Sequence, residues 1–142
     1  MEDRVRELAG EVPPPDLAAV EEARARHLTL TKPPGSLGRL EELIVRLASI
    51  QGRELPSVAR KGMYVFCADH GIVHEGVTRY PQAVTRQMVE NFVRGGAAIN
   101  VLCRSLSIQP VIVDVGVCGS PVAGALDKKV ASGTSNMAGQ PA

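Results

Sequence analysis

The sequence has no tryptophan, only two phenylalanines and only two tyrosines, so aromatic residues make up 3% of its 142 positions. That poverty leaves little surface for stacking unpaired nucleic-acid bases or sugars, and it makes the core aliphatic. An excess of one charge is also missing: 16 Lys and Arg stand against 15 Asp and Glu, a formal net charge of +1. Nucleic acid or an anionic membrane held by bulk electrostatics calls for basic charge gathered on one face or tail, and that class is set aside. No apolar run approaches the roughly 18 residues that span a bilayer. Met1 to Gly10 alternate charged and apolar positions without a continuous apolar stretch of secretory type, so a cytoplasmic protein is the expectation. Cysteine is scarce as well. Cys67, Cys103 and Cys118 are an odd number without clustered spacing, which fits reduced thiols and not a disulfide framework.

What is present changes character near Pro56, giving an N-terminal helical segment, 1–56, and an α/β segment, 57–142. A short first helix carries Val5 and Leu8, and Pro13-Pro14-Pro15 is a stiff connector. Asp16 caps a second helix through Leu17, Val20, Ala23, Arg24 and His27. Leu37, Leu40, Leu43, Ile44, Leu47 and Ile50, at spacings of three and four, predict a third and amphipathic helix with Ser36 as its cap and Gly52 at its end. Between these two helices the adjacent prolines of Thr31-Lys32-Pro33-Pro34-Gly35 forbid helix.

In the second segment, Met63–Cys67 and Val111–Val117 are short apolar runs rich in β-favouring residues and without clean alternation, as a buried parallel sheet requires. Val84, Met88, Phe92, Ile99, Leu102 and Leu106 mark a helical face between them, and Gly95-Gly96 either kinks or divides that helix. Strand, helical crossover and strand make a right-handed βαβ unit with its strands parallel in one sheet, so the fold class is α/β. Only Lys129-Val130-Ala131 offers a third strand, fewer than the roughly four to six of a typical sheet. The turn-rich tail from Ser132 supplies no closing element. The expectation is the N-terminal part of a larger α/β domain whose sheet is incomplete here.

Ligands of open parallel sheets bind beyond the carboxyl ends of the strands, which puts Ala68-Asp69-His70-Gly71 at a candidate site. Asp69 and His70 there either brace the loop or work in the cleft. Cys67, His70 and His74, with Glu75 as a base, resemble part of a zinc set, a competing reading that lacks a fourth ligand. The loop Gly76–Gln82 leads into the crossover helix, where Tyr80, Thr85, Gln87 and Met88 form a mixture suited to a flat, weakly polar heterocycle. Met88 also belongs to the apolar stripe, which argues for the core. Ser132-Gly133-Thr134-Ser135-Asn136 reads either as a phosphate wrap or as a plain turn. Neither a P-loop nor the G-x-G-x-x-G fingerprint occurs, and no G-x-S-x-G elbow of the serine hydrolases does.

Taken together the motifs are familiar. Thr31-Lys32-Pro33-Pro34-Gly35-Ser36-Leu37-Gly38-Arg39-Leu40, Ala68-Asp69-His70-Gly71, Gly76-Val77-Thr78 with Tyr80-Pro81, Val84-Thr85, Asn91-Phe92, Gly95 to Leu102, Val113-Asp114-Val115-Gly116 and Gly133-Thr134-Ser135-Asn136-Met137 follow in this order. The series resembles the N-terminal part of the nicotinate-nucleotide:dimethylbenzimidazole phosphoribosyltransferase family, which assembles the nucleotide loop of cobalamin.

The resemblance implies transfer of the phosphoribosyl group of nicotinate mononucleotide to 5,6-dimethylbenzimidazole, giving α-ribazole 5′-phosphate and nicotinate, with no metal and no cofactor. It implies a parallel Rossmann-like domain, a smaller helical domain to which the N-terminal helices contribute, and a homodimer. The family's general base is a glutamate in its C-terminal half, where its phosphate-gripping segment also lies, so no catalytic residue is assigned here and the segment alone is expected to be inactive. Tyr80, Pro81, Thr85, Gln87 and Met88 match the stretch lining the benzimidazole pocket, and Asp69, His70 and Gly71 match a positioning motif at the cleft edge. The alternative is a stand-alone binding or partner subunit for an aromatic base.

Overall fold

A computed structural model describes residues 2–140 and divides the chain into two compact units, Met1–Arg60 and Lys61–Ala142. The first holds three helices, α1 (Glu2–Gly10), α2 (Leu17–Thr29) and α3 (Arg39–Gln51). Asp16 caps α2 as expected, its carboxylate accepting the Ala19 N–H at 3.0 Å, while its own N–H donates to the Ser49 carbonyl at 3.0 Å. The cap therefore also fastens the start of α2 to the end of α3, where Gly52 stands in the left-handed region with φ 60. Ala19, Ala23, Ala48 and Ser49 are the buried residues of these two helices, small side chains that let the backbones come close.

One expectation for α3 is corrected. Ser36 is not its cap: Gly35 (φ 72) and Gly38 (φ 53) carry the chain through a longer turn, and the helix starts at Arg39. The capping is done from inside, because Glu41 Oε1 accepts the Leu37 N–H at 3.1 Å and the Lys32 ammonium at 2.8 Å. Those two donors, Lys32 foremost, hold the Glu41 carboxyl below the ordinary range. The apolar stripe of α3 is mostly exposed. Leu40, Leu43 and Ile50 are exposed, since the contact with α2 falls on the alanine face instead.

The second unit is a parallel sheet in the order β1-β2-β3, made of β1 (Met63–Ala68), β2 (Pro110–Gly116) and β3 (Leu126–Asp127). α4 (Ala83–Arg94) and α5 (Ala98–Ser105) form the crossover, so the α/β class and the βαβ unit are borne out. The third strand lies earlier than Lys129–Ala131. Leu126 and Asp127 pair with Val113 and Asp114, and the chain stays beside β2 only through Lys128 and Val130 before crossing toward the end of β1. The double glycine divides the helix: Gly95, φ 81, ends α4 with its N–H on the Asn91 and Phe92 carbonyls. Buried Asn100 rejoins the halves, its amide oxygen accepting the Ala97 N–H at 3.1 Å and its amide N–H donating to the Phe92 carbonyl at 3.0 Å.

Cys67, Val89, Ile112, Val117 and Val122 form the core, with Val65, Phe92, Val93 and Ala125 packed against it. This core lies on one face of β1. Tyr64 and Phe66, on the alternate positions, stack on each other in solvent with ring centroids 6.4 Å apart.

Candidate functional site

The site sits at the carboxyl ends of β1 and β2. Asp69, the residue after β1, is buried and tied on three sides. Its N–H donates to the Gly116 carbonyl at 3.0 Å, its carbonyl accepts the Thr134 N–H at 3.1 Å, and its carboxylate accepts the Cys118 N–H at 2.7 Å. Asp114, 1% exposed near the end of β2, turns the chain by accepting the Gly116 and Val117 N–H groups on Oδ1 at 3.1 and 2.8 Å. Its other oxygen has no hydrogen-bond partner and faces Lys129 Nζ at 3.5 Å, while that ammonium donates to the Gly119 carbonyl at 2.8 Å. Sequence reading gave Asp114 no role beyond a family motif and missed Lys129. An acid inside an apolar strand is the signal that was available.

His70 is exposed, with Nδ1 3.3 Å from the Thr134 hydroxyl, and it makes a parallel bridge to Thr134. Gly71 sits where a side chain has no room: a Cβ there would come within 2.7 to 2.8 Å of the backbone of Thr134, Ser135 and Asn136. The Ser132–Asn136 segment is thus a turn laid against the end of β1, and three of the groups that could wrap a phosphate are engaged. Thr134 N–H is on Asp69, the Thr134 hydroxyl donates to the Ser135 carbonyl at 3.1 Å, and the Asn136 amide donates to Glu75 at 2.6 Å. Of the two readings of that segment, the structure supports the turn.

Beside this junction lies a cavity of about 370 Å³. Ala68, Asp69 and His70 line its floor from β1, Ile72 and Val73 come from a 3-10 turn at Gly71–Glu75, and Val77, Thr78, Tyr80, Pro81 and Gln82 from the loop. Val84, Thr85 and Met88 of α4 complete it. Six of the eight residues singled out from the sequence therefore meet here: Asp69, His70, Tyr80, Pro81, Thr85 and Met88. Gly71 lies next to the cavity without lining it, and Gln87 is exposed on α4 outside the lining. Met88 is 38% exposed and faces the cavity, because Val89 beside it takes the core position. Gln82, not singled out, lines the cavity and donates its amide N–H to Cys118 Sγ at 3.4 Å.

Chemically the cavity is a mostly apolar slot lined also by a tyrosine ring, two hydroxyls, an amide, an imidazole and a carboxylate. Its neighbouring thiol is held toward the protonated form. Burial, and then the Asp69 carboxylate, push the Cys118 thiol up from its ordinary value; burial and Asp114 do the same to Cys67. Cys67, His70 and His74 do not form a zinc set, since among the described residues no three His, Cys, Asp or Glu side chains stand together as metal ligands would.

A family model described as phosphoribosyltransferase matches residues 12–142. The nicotinate-nucleotide–dimethylbenzimidazole phosphoribosyltransferase of Pseudomonas putida strain W619 is 50% identical over 131 residues, covering 91% of this chain and 37% of the relative. Its namesake in Chloroflexus aurantiacus strain J-10-fl is 45% identical over 142 residues, covering 99% and 40%. The crystal structure of the enzyme of this name from Thermus thermophilus superimposes with a TM-score of 0.83 at 50% identity, over 89% of this chain and 39% of that one. The chain spans about two fifths of the length of these relatives. With the ordered motifs, the parallel sheet and the family match in agreement, the chain belongs to the phosphoribosyltransferase family whose relatives are named for nicotinate nucleotide and dimethylbenzimidazole.

Proposed function

We propose that the full chain, of the relatives' length and carrying this segment, transfers the phosphoribosyl group of nicotinate mononucleotide to 5,6-dimethylbenzimidazole. The products are α-ribazole 5′-phosphate and nicotinate, and the segment described here supplies the cavity for the base. The observation that carries the reading is the slot at the end of β1, where Tyr80, Pro81, Thr85 and Met88 converge.

In this reaction an azole nitrogen attacks the anomeric carbon while the nicotinate nitrogen leaves, so positive charge builds on the ribosyl centre and the azole must lose its proton. The slot's part is positioning. Ile72, Val73, Val77 and Met88 offer apolar walls to a flat bicyclic base, Tyr80 offers a ring face, and removing the base from water there favours binding by about 25 cal/mol per Å² of apolar surface. The Thr85 hydroxyl leaves a polar point at the rim at which a ring nitrogen can be oriented. Proton removal and the grip on the 5′-phosphate belong, on the family resemblance, to the C-terminal part. A homodimer, and a smaller helical domain to which residues 1–56 belong, rest on the same resemblance; a cytoplasmic location rests on the character of Met1 to Gly10 and completes the proposal. Light scattering on the full chain tests the dimer. Among the described residues no helix is long and apolar enough to cross a membrane.

The test is product analysis. Incubated with nicotinate mononucleotide and 5,6-dimethylbenzimidazole, the full chain is expected to release nicotinate and α-ribazole 5′-phosphate in equal amounts. No α-ribazole phosphate at saturating substrates refutes the proposal.

A further inference from the structure

One wall of the cavity is tied to a distant stretch of chain by two hydrogen bonds. Ile72 and Val73 belong to the 3-10 turn Gly71–Glu75, whose residues are half-buried or exposed and lie outside the core cluster. Besides its internal bonds it is held at both ends by one distant stretch. Gly71 N–H donates to the Thr134 carbonyl at 3.1 Å, and the Asn136 amide donates to Glu75 Oε1 at 2.6 Å. Asn136 is fixed for this task. Its side-chain oxygen already accepts the Ala138 N–H at 3.1 Å, and its backbone oxygen accepts the N–H groups of Gly139 and Gln140 at 3.0 and 3.1 Å. The amide nitrogen is therefore the end that faces Glu75, and a hydrogen bond onto a carboxylate is stronger than one between neutral groups.

We infer that the Glu75–Asn136 bond is a clamp that sets the position of the Ile72–Val73 wall and hence which flat aromatic base the cavity accepts. Neither residue lines the cavity, and both are positioning residues acting through the wall. The inference rests on the base-cavity reading proposed above. Released at Glu75, the turn keeps only its Gly71 attachment, the wall loosens, and contacts to methyl groups on the base are the first to weaken.

The experiment uses the full chain, steady-state kinetics with nicotinate mononucleotide, and two probes, 5,6-dimethylbenzimidazole and unsubstituted benzimidazole. Asn136→Asp keeps the acceptor for Ala138 but sets a carboxylate against Glu75. It is expected to raise KM for dimethylbenzimidazole about tenfold, to narrow the preference over benzimidazole, and to leave kcat and KM for the nucleotide unchanged. The double variant Asn136→Asp with Glu75→Gln reverses donor and acceptor, and it restores KM to within about twofold of the starting value. Glu75→Ala gives the same loss as Asn136→Asp and serves if the latter fails to fold. A double variant as impaired as the single one, a nucleotide KM that rises together with the base KM, or base kinetics that do not move, overturns the clamp while leaving the base reading intact. A parent chain with no base-dependent turnover overturns both.

Discussion

The Asp69 carboxylate accepts the Cys118 backbone N–H at 2.7 Å, joining the end of β1 to the loop after β2 across 49 positions of sequence. The same residue is bonded through its backbone to Gly116 and Thr134, so three chain segments are located by one side chain and its peptide. Asp69 itself lines the cavity at the end of β1.

Removing that carboxylate strands a donor. Asp69→Ala is expected to destabilise the full chain by about 1–3 kcal/mol, the cost of leaving a part-buried N–H without its carboxylate partner. Urea unfolding of the variant and the parent checks it, and a change below about 0.5 kcal/mol contradicts the role given to Asp69.

Gly71 tests how closely the turn at Thr134–Asn136 is laid against β1. Gly71→Ala puts a methyl group 2.7 to 2.8 Å from backbone atoms that have no free rotamer to yield, and a loss of about 1–3 kcal/mol is expected. Gly139→Ala is the comparison, since its nearest atom would be 3.9 Å away. Thermal unfolding should separate the two variants by several degrees.

On the cavity reading the residues of α4 and its leading loop are not equal. Tyr80→Ala and Met88→Ala remove walls, and each is expected to raise KM for the base about tenfold with KM for the nucleotide little changed. Gln87→Ala, outside the lining, should weaken base binding less than either. Equal effects from all three would place the base elsewhere on the helix.

The thiols give a pH dependence with a definite sign. Burial raises the Cys67 and Cys118 thiols in the folded chain, so above the ordinary thiol range near pH 8.5 the unfolded chain releases protons that the folded chain keeps. Stability should be unaffected by these groups below that range and decline as pH rises through it. Cys118→Ala should flatten part of the decline, measured as the urea midpoint between about pH 7 and 10.

How much of this was legible in the sequence follows from how local each signal is. Asp16 caps a helix through a bond to a residue three positions on, and a three-residue pattern is readable. β1 and β2 were readable because their β-branched and apolar composition is independent of partners. β3 was not: its two residues are strand only because β2 lies alongside, and Leu126-Asp127 has no pattern of its own. Ser36 misled for the opposite reason, since a good capping residue yielded to glycines that let the turn run on. Met88, Thr85 and Val84 share one face of α4 and Gln87 falls off it, a distinction that needed the helix start at Ala83. The Glu75–Asn136 contact spans 61 positions between residues of no distinctive spacing, and only the fold brings it into view.

The central claim is that the slot at the end of β1 holds the base, and the most direct measurement is a crystal structure of the full chain with 5,6-dimethylbenzimidazole. The account predicts a ring packed against Tyr80 and Met88, with Thr85 at its edge and Ile72 and Val73 along one side. A base bound elsewhere while this slot stands empty would contradict it.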